Sequence, residues 1–164
     1  MAYYRVDKRV FSLGEEVTSA QEYYEKFTDS AKVVEDTLEL TRPQTKKQRT
    51  ECLFIFESEV SARKHWSKMT DGKLYRVEIE EANVCHRGDM AMLDTMKRLA
   101  EAGDCMTAVA DSYWRGELGA VPEVEIMLSR AVVNEVLSTS EVERLDHLRK
   151  RWGISKFNPY AAGG

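Results

Sequence analysis

Cys52-Leu53-Phe54-Ile55-Phe56 is an unbroken apolar run, closed by Glu57 and Ser58. So short a run, rich in branched and aromatic side chains, suits a strand buried on both faces in the middle of a sheet. Ser58 then offers a hydroxyl to the open amides of a following helix, with Ser61 as an alternative start, and Val60, Ala62 and Trp66 give that helix an apolar side. Asp71-Gly72 is a turn signal, after which Leu74-Tyr75-Arg76-Val77-Glu78-Ile79-Glu80 alternates strictly, as a half-buried strand does. Strand, helix, strand is therefore the expected order at the centre of the chain.

On the N-terminal side, Tyr3 to Phe11 alternates loosely and predicts an opening strand that stops at Ser12-Leu13-Gly14. From Thr18 or Ser19, either a good N-cap, apolar residues recur near the helical period at Tyr23, Tyr24, Phe27, Ala31, Val34 and Leu38. That helix ends before Arg42-Pro43, because the residue preceding a proline is pushed out of helical geometry. Thr41 to Arg49 carries four positive charges and only Pro43 as an apolar residue, so an exposed basic loop is expected.

On the C-terminal side, Asp89 should cap a helix through Met90, Leu93, Met96, Lys97 and Leu99, stopped by Gly103. Asp104 should cap another through Met106, Val109, Tyr113 and Trp114, stopped near Gly116 or Gly119. Val124, Ile126 and Leu128 alternate with Glu123 and Glu125, and Ala131 to Leu137 continues in strand-like composition, so one bent strand or a tight strand pair follows. Ser140 and Glu143 make a capping box for a last helix through Val142, Leu145 and Leu148 to Trp152, before Gly153. With no internal repeat and no linker, the reading is a single α+β domain over residues 1–157, with a frayed, flexible tail from Asn158 to Gly164.

A chain of 164 residues can build an ordinary core without staples. Its 43% hydrophobic and 32% charged residues belong to a folded chain rather than a disordered one. The net charge of -4 argues against a general nucleic-acid binder but leaves room for a local basic patch. No stretch resembles a signal peptide or approaches the roughly 18 apolar residues of a membrane span, so a cytoplasmic protein without a membrane partner is expected. Cys52, Cys85 and Cys105 are odd in number and widely spaced, and no histidine among His65, His86 and His147 has a ligand partner at helical spacing, so neither a disulfide framework nor a metal site is expected.

Pro122-Glu123-Val124-Glu125-Ile126-Met127-Leu128-Ser129 carries the most chemistry. Side chains two apart in a strand share a face, so Glu123 and Glu125 project together. Drawn partly out of water, such a pair would shift each other's proton affinity; left in water, it is a solvent-facing strand flank. Arg5, inside the first strand, needs an anion if it is buried, whereas on an edge strand it simply faces out. Ser58 either caps its helix or orients a ligand. Arg42 and Arg49 can reach a diphosphate or remain solvated.

Taken together, Tyr4-Arg5-Val6, the Arg-Pro loop leading to Cys52–Ser58, Ala62 and Trp66, Leu74–Ile79, Tyr113-Trp114 and Glu125-Ile126-Met127-Leu128 resemble a bacterial and phage family of uncharacterised domains grouped with the ADP-ribosyltransferases. The resemblance runs from about Tyr3 to Leu137 and rests on order and spacing. It implies a split pair of small antiparallel sheets with flanking helices, and NAD bound as substrate in the cleft between the sheets. It further implies that Arg5 contacts the NAD phosphates or ribose, with Tyr4, Arg42 and Arg49 nearby, and that Ser58 supports the site. Glu125 would hold the nicotinamide ribose and Glu123 would activate the acceptor. Where that class carries Ser-Thr-Ser, this chain has Phe56-Glu57-Ser58. The implied activity is mono-ADP-ribosyl transfer to a protein or nucleic-acid acceptor, and the alternative is an inactive nucleotide- or protein-binding module of the same fold.

Overall fold

The structure, a computed structural model, describes residues 1–20 and 27–152. The strands are β1 (Tyr3–Asp7), β2 (Glu16–Val17), β3 (Leu53–Phe56), β4 (Lys73–Glu78), β5 (Val84–Asp89), β6 (Val124–Leu128) and β7 (Ala131–Ser138). The helices are α1 (Asp29–Thr41), α2 (Glu59–Lys68), α3 (Met90–Glu101), α4 (Thr107–Trp114) and α5 (Glu141–Trp152). The class is α+β, and no helix among the described residues is long and apolar enough to cross a membrane.

The strands form one antiparallel sheet in the order β2-β7-β4-β1-β3-β6-β5 rather than two separate sheets. Its continuity is uneven, however. β1 registers with β4 at every residue from Tyr3↔Val77 to Asp7↔Lys73, but with β3 only at Tyr4↔Phe56. The sheet thus consists of two well-knit halves joined at a narrow seam.

The link between β6 and β7 shows how the halves are disposed. Four strand spacings at about 4.8 Å each separate β6 from β7 along the sheet, roughly 19 Å. Three Cα steps from Leu128 to Ala131 span at most about 11 Å. The sheet must therefore fold over, and Ile126 and Leu128 of one half pack with Ala131, Val133, Tyr75 and Val77 of the other in a single core. The tight strand pair anticipated from composition exists in sequence but not in pairing: β6 bonds to β3 and β5, and β7 to β4 and β2.

The outer face carries the helices in two groups. Phe54 and Met127 pack against Val34 and Leu38 of α1, Met96 of α3 and Tyr113 of α4. Tyr4, Val6, Phe56 and Leu74 pack against Ala62 and Trp66 of α2. Between these groups, above the seam, the helical cover is interrupted.

Local signals set most of the element ends. The Ser58 hydroxyl accepts from Ser61 N and caps α2, Asp89 accepts from Ala91 N and caps α3, and Ser140 accepts from Glu143 N at the start of α5. Asp7 accepts from the Arg9 amide, a side-chain turn that ends β1 well before Phe11. One expected cap fails: Asp104 precedes α4 without capping it, the helix starting at Thr107 after Met106. The Ser19 hydroxyl donates to the Thr50 carbonyl, α1 spans Asp29–Thr41, and the turn expected to follow Thr18 or Ser19 lies outside the described residues. Tyr23, Tyr24 and the tail from Asn158 lie outside the described residues.

Candidate functional site

Below Tyr4↔Phe56 the two strands at the seam part company, and backbone groups that a full ladder would pair need other partners. Arg5 supplies one: its Nη1 donates to the Phe54 carbonyl at 2.8 Å, so a guanidinium takes the place of a missing ladder bond. Asp7 holds that guanidinium from the other side, accepting from Nε at 3.0 Å and Nη2 at 2.8 Å. Asp7 also takes Arg9, at 2.9 Å from Nη2. Burial raises the Asp7 carboxyl's proton affinity, but the hydrogen bonds and charges of Arg9 and Arg5 outweigh it and bring the pKa down to about 2.

On the far side of the seam lies a second, deeper ion cluster. Arg49 is 3% exposed and sits between two carboxylates. Its Nε and Nη2 donate to Glu35 at 2.9 and 3.2 Å, and its Nη1 donates to Glu125 Oε1 at 2.7 Å. The Tyr113 hydroxyl donates to the same Glu125 oxygen at 2.6 Å, and the guanidinium lies over the Phe54 ring with 4.6 Å to its centroid. Two carboxylates against one guanidinium leave a formal surplus of one negative charge in this buried triad. Gly88 makes the arrangement possible, because a Cβ there would lie 2.2 Å from a Tyr113 ring carbon.

Arg5 and the triad face one cavity of about 380 Å³ that opens where the helical cover is interrupted. Val34, Phe54, Phe56, Met90 and Leu93 make its walls largely apolar, while Arg5, Glu35, Arg49 and Glu125 supply charge. His65 lines it from α2, keeping accessible surface toward the cavity although protein closes around the ring. That enclosure, with the positive charge of Arg5, holds the His65 imidazole below its ordinary pKa. Asp94 and Lys97 of α3 also line the cavity.

Of the residues singled out from sequence, Arg5, Arg49 and Glu125 converge on this cavity. The others do not line it. Ser58 is exposed and occupied as the α2 cap. Arg42 pairs with Glu39 and donates to the Lys46 carbonyl. Tyr4 is buried in the core beneath α2. Glu123 lies just outside β6, where its carboxylate meets Lys64 at 2.7 Å and its amide donates to Asp89. Arg49 departs from expectation in another way: it belongs to a loop with no apolar side chain but Pro43, yet it is buried, because Glu35 and Glu125 compensate its charge and two aromatic rings flank it. Sequence reasoning missed Glu35, His65 and Tyr113; only Tyr113 carried a signal, as part of an aromatic pair at the end of a helix.

Neither a family model nor a curated protein matches the chain.

Proposed function

We propose that the chain is an ADP-ribosyltransferase-type domain that transfers ADP-ribose from NAD to a macromolecular acceptor, with the cavity at the seam taking the nicotinamide and its ribose. The observation that carries this reading is the meeting of Arg5 from the first strand with Glu125 from a late strand in one pocket. The narrow join at Tyr4↔Phe56 also accords with the split-sheet architecture such a domain requires. At about 380 Å³ the cavity stands at the small end of ligand sites, which fits one end of NAD rather than the whole dinucleotide.

The chemistry follows from charge. When the bond between nicotinamide and ribose breaks, its electron pair leaves with the nicotinamide and positive charge develops on the ribose carbon and ring oxygen. An acceptor nucleophile then bonds to that carbon and loses its proton. A carboxylate fixed beside the ribose in an apolar pocket favours the charged state, because its orientation requires no rearrangement at the moment of reaction. Glu125 is that carboxylate. Arg49 and Tyr113 hold one of its oxygens, and the surplus negative charge of the triad adds to the field a nicotinamidium ring would meet. Arg5 lines the same cavity and is the positive partner for the phosphate side.

A second reading draws on the same ion pair: a carboxylate already compensated by Arg49 stabilises a cation less, which favours binding without turnover. Titration calorimetry with NAD, followed by an assay for released nicotinamide, separates the two. Binding with release supports transfer, binding without release supports the module, and no heat of binding overturns both.

A further inference from the structure

Six charged side chains line the cavity at the seam, and four of them are engaged: Arg5 by Asp7 and the Phe54 carbonyl, and Glu35, Arg49 and Glu125 by one another. Asp94 and Lys97, the other two, stand exposed on α3. His65 of α2 lines the same space with its ring against Phe56, 5.3 Å between ring centres. His86 places its Nε2 2.9 Å from the Tyr113 carbonyl oxygen, but no group among the described residues hydrogen-bonds either ring nitrogen of His65.

The helix that carries His65 is held beside the strand that carries Glu125. Lys64, the residue before His65, pairs at 2.7 Å with Glu123, which enters that strand just ahead of Glu125. Glu123, to which the resemblance gives the activation of the acceptor, is thereby engaged outside the cavity, and a base for that task has to come from elsewhere. Enclosure lowers the pKa of His65 from the ordinary imidazole value of 6.5; Arg5 of β1 and Lys68 of α2 lower it further, while Glu125 of β6 and Glu123 oppose them. A ring whose pKa lies below 6.5 is neutral at physiological pH and keeps a lone pair on one nitrogen.

We infer that His65 is the general base of the transfer step, taking the proton of the acceptor as it bonds to the ribose, and that the acceptor is a nucleophile that brings its own proton, as a hydroxyl does. The inference rests on the transfer reading above. The bond between the ribose carbon and nicotinamide breaks with its electron pair leaving on the nicotinamide; the acceptor's oxygen bonds to that carbon, and its proton passes to the lone pair of His65 and then to water. A neutral base suits an apolar cavity that already holds a surplus negative charge, because it accepts the proton without adding another anion. An ionised carboxylate fits poorly as acceptor: it has no proton to give, and Glu35 and Glu125 repel it.

The test follows NAD hydrolysis by the full chain, with water as the acceptor, from about pH 5 to about pH 8. Since only the neutral imidazole accepts a proton, kcat in the parent should hold above pH 6.5 and fall as pH drops through the lowered pKa of His65. His65→Gln should lower kcat about a hundredfold or more, change KM for NAD little, and remove that acid limb. A parent profile without an acid limb overturns the inference even if the variant does not fold. So does a His65→Gln protein that keeps the parent's kcat, or one that loses rate yet keeps the limb. Each of these results leaves the transfer reading standing, whereas a parent that releases no nicotinamide from NAD overturns that reading and the role of His65 with it.

Discussion

Arg49 Nη1 lies 2.7 Å from Glu125 Oε1, and neither side chain is more than 5% exposed. Buried ion pairs of this kind add little net stability over an apolar substitute, but breaking one partner away leaves an uncompensated charge. Here two carboxylates would be stranded. Arg49→Met should therefore cost about 3–5 kcal/mol, on the order of 10 °C in Tm for a domain of this size. Adding Glu35→Gln and Glu125→Gln to that variant should restore much of the loss. Thermal unfolding of the series is the check, and a single variant as stable as the parent would mean that the pair is not formed.

Gly88 is packed against Tyr113 so closely that an added Cβ would overlap the ring. Gly88→Ala should push the ring away, cost about 1–3 kcal/mol by overpacking, and withdraw the hydroxyl from Glu125. Tyr113→Phe keeps the ring and removes only the hydroxyl, so it should be the milder change in stability. Urea unfolding of the two variants measures the difference.

Asp89 is fully buried and accepts from the amides of Ala91, Gly119 and Glu123, thereby tying the segment before β6 to the start of α3. Asp89→Ala leaves three amides without that acceptor and should cost about 1–3 kcal/mol. Hydrogen exchange should report the loss locally, as faster exchange at Gly119 and Glu123 than at the centre of β3.

The pKa of Asp7 is lowered to about 2 from its ordinary 3.8, Arg9 and Arg5 outweighing the effect of burial. A carboxyl with a depressed folded-state pKa contributes stability that is full above its unfolded pKa and lost as pH falls through the folded value. The contribution, about 2 kcal/mol, should thus be present at pH 5 and fade between about pH 4 and pH 2. Parent and Asp7→Asn should differ in stability at pH 5 and converge towards pH 2. A gap independent of pH would show that Asp7 acts through shape rather than charge.

These residues also show what the sequence can reveal and what it cannot. The apolar run at Leu53–Phe56, the Ser58 and Asp89 caps and the Ser140 start of α5 are local patterns, decided within a few residues, and they are legible. The site is legible only where one residue announces itself by standing in an unsuitable place, as Arg5 and Glu125 do in strands. The burial of Arg49 is not, because its partners Glu35, Tyr113 and Glu125 lie 14, 64 and 76 positions away. Nor could Asp104 be told from a true cap, since the same side chain serves loops, and α4 starts only at Thr107 after Met106. The side-by-side placement expected for Glu123 and Glu125 is not what the fold uses: Glu123 lies one step outside β6 and finds Lys64, while only Glu125 lines the cavity.

The most direct measurement compares nicotinamide release from NAD by the parent and by Glu125→Gln, with Tm recorded for both. Glutamine keeps an oxygen that can still accept from Arg49 and Tyr113, so the fold should survive while the negative charge beside the ribose is gone. Release that falls by at least about a hundredfold at near-parental stability is the expected outcome, in line with the loss of one electrostatic contact to a transition state. Release at the parent's rate from a folded Glu125→Gln protein would contradict the assignment of Glu125, and with it the transfer chemistry placed at the seam.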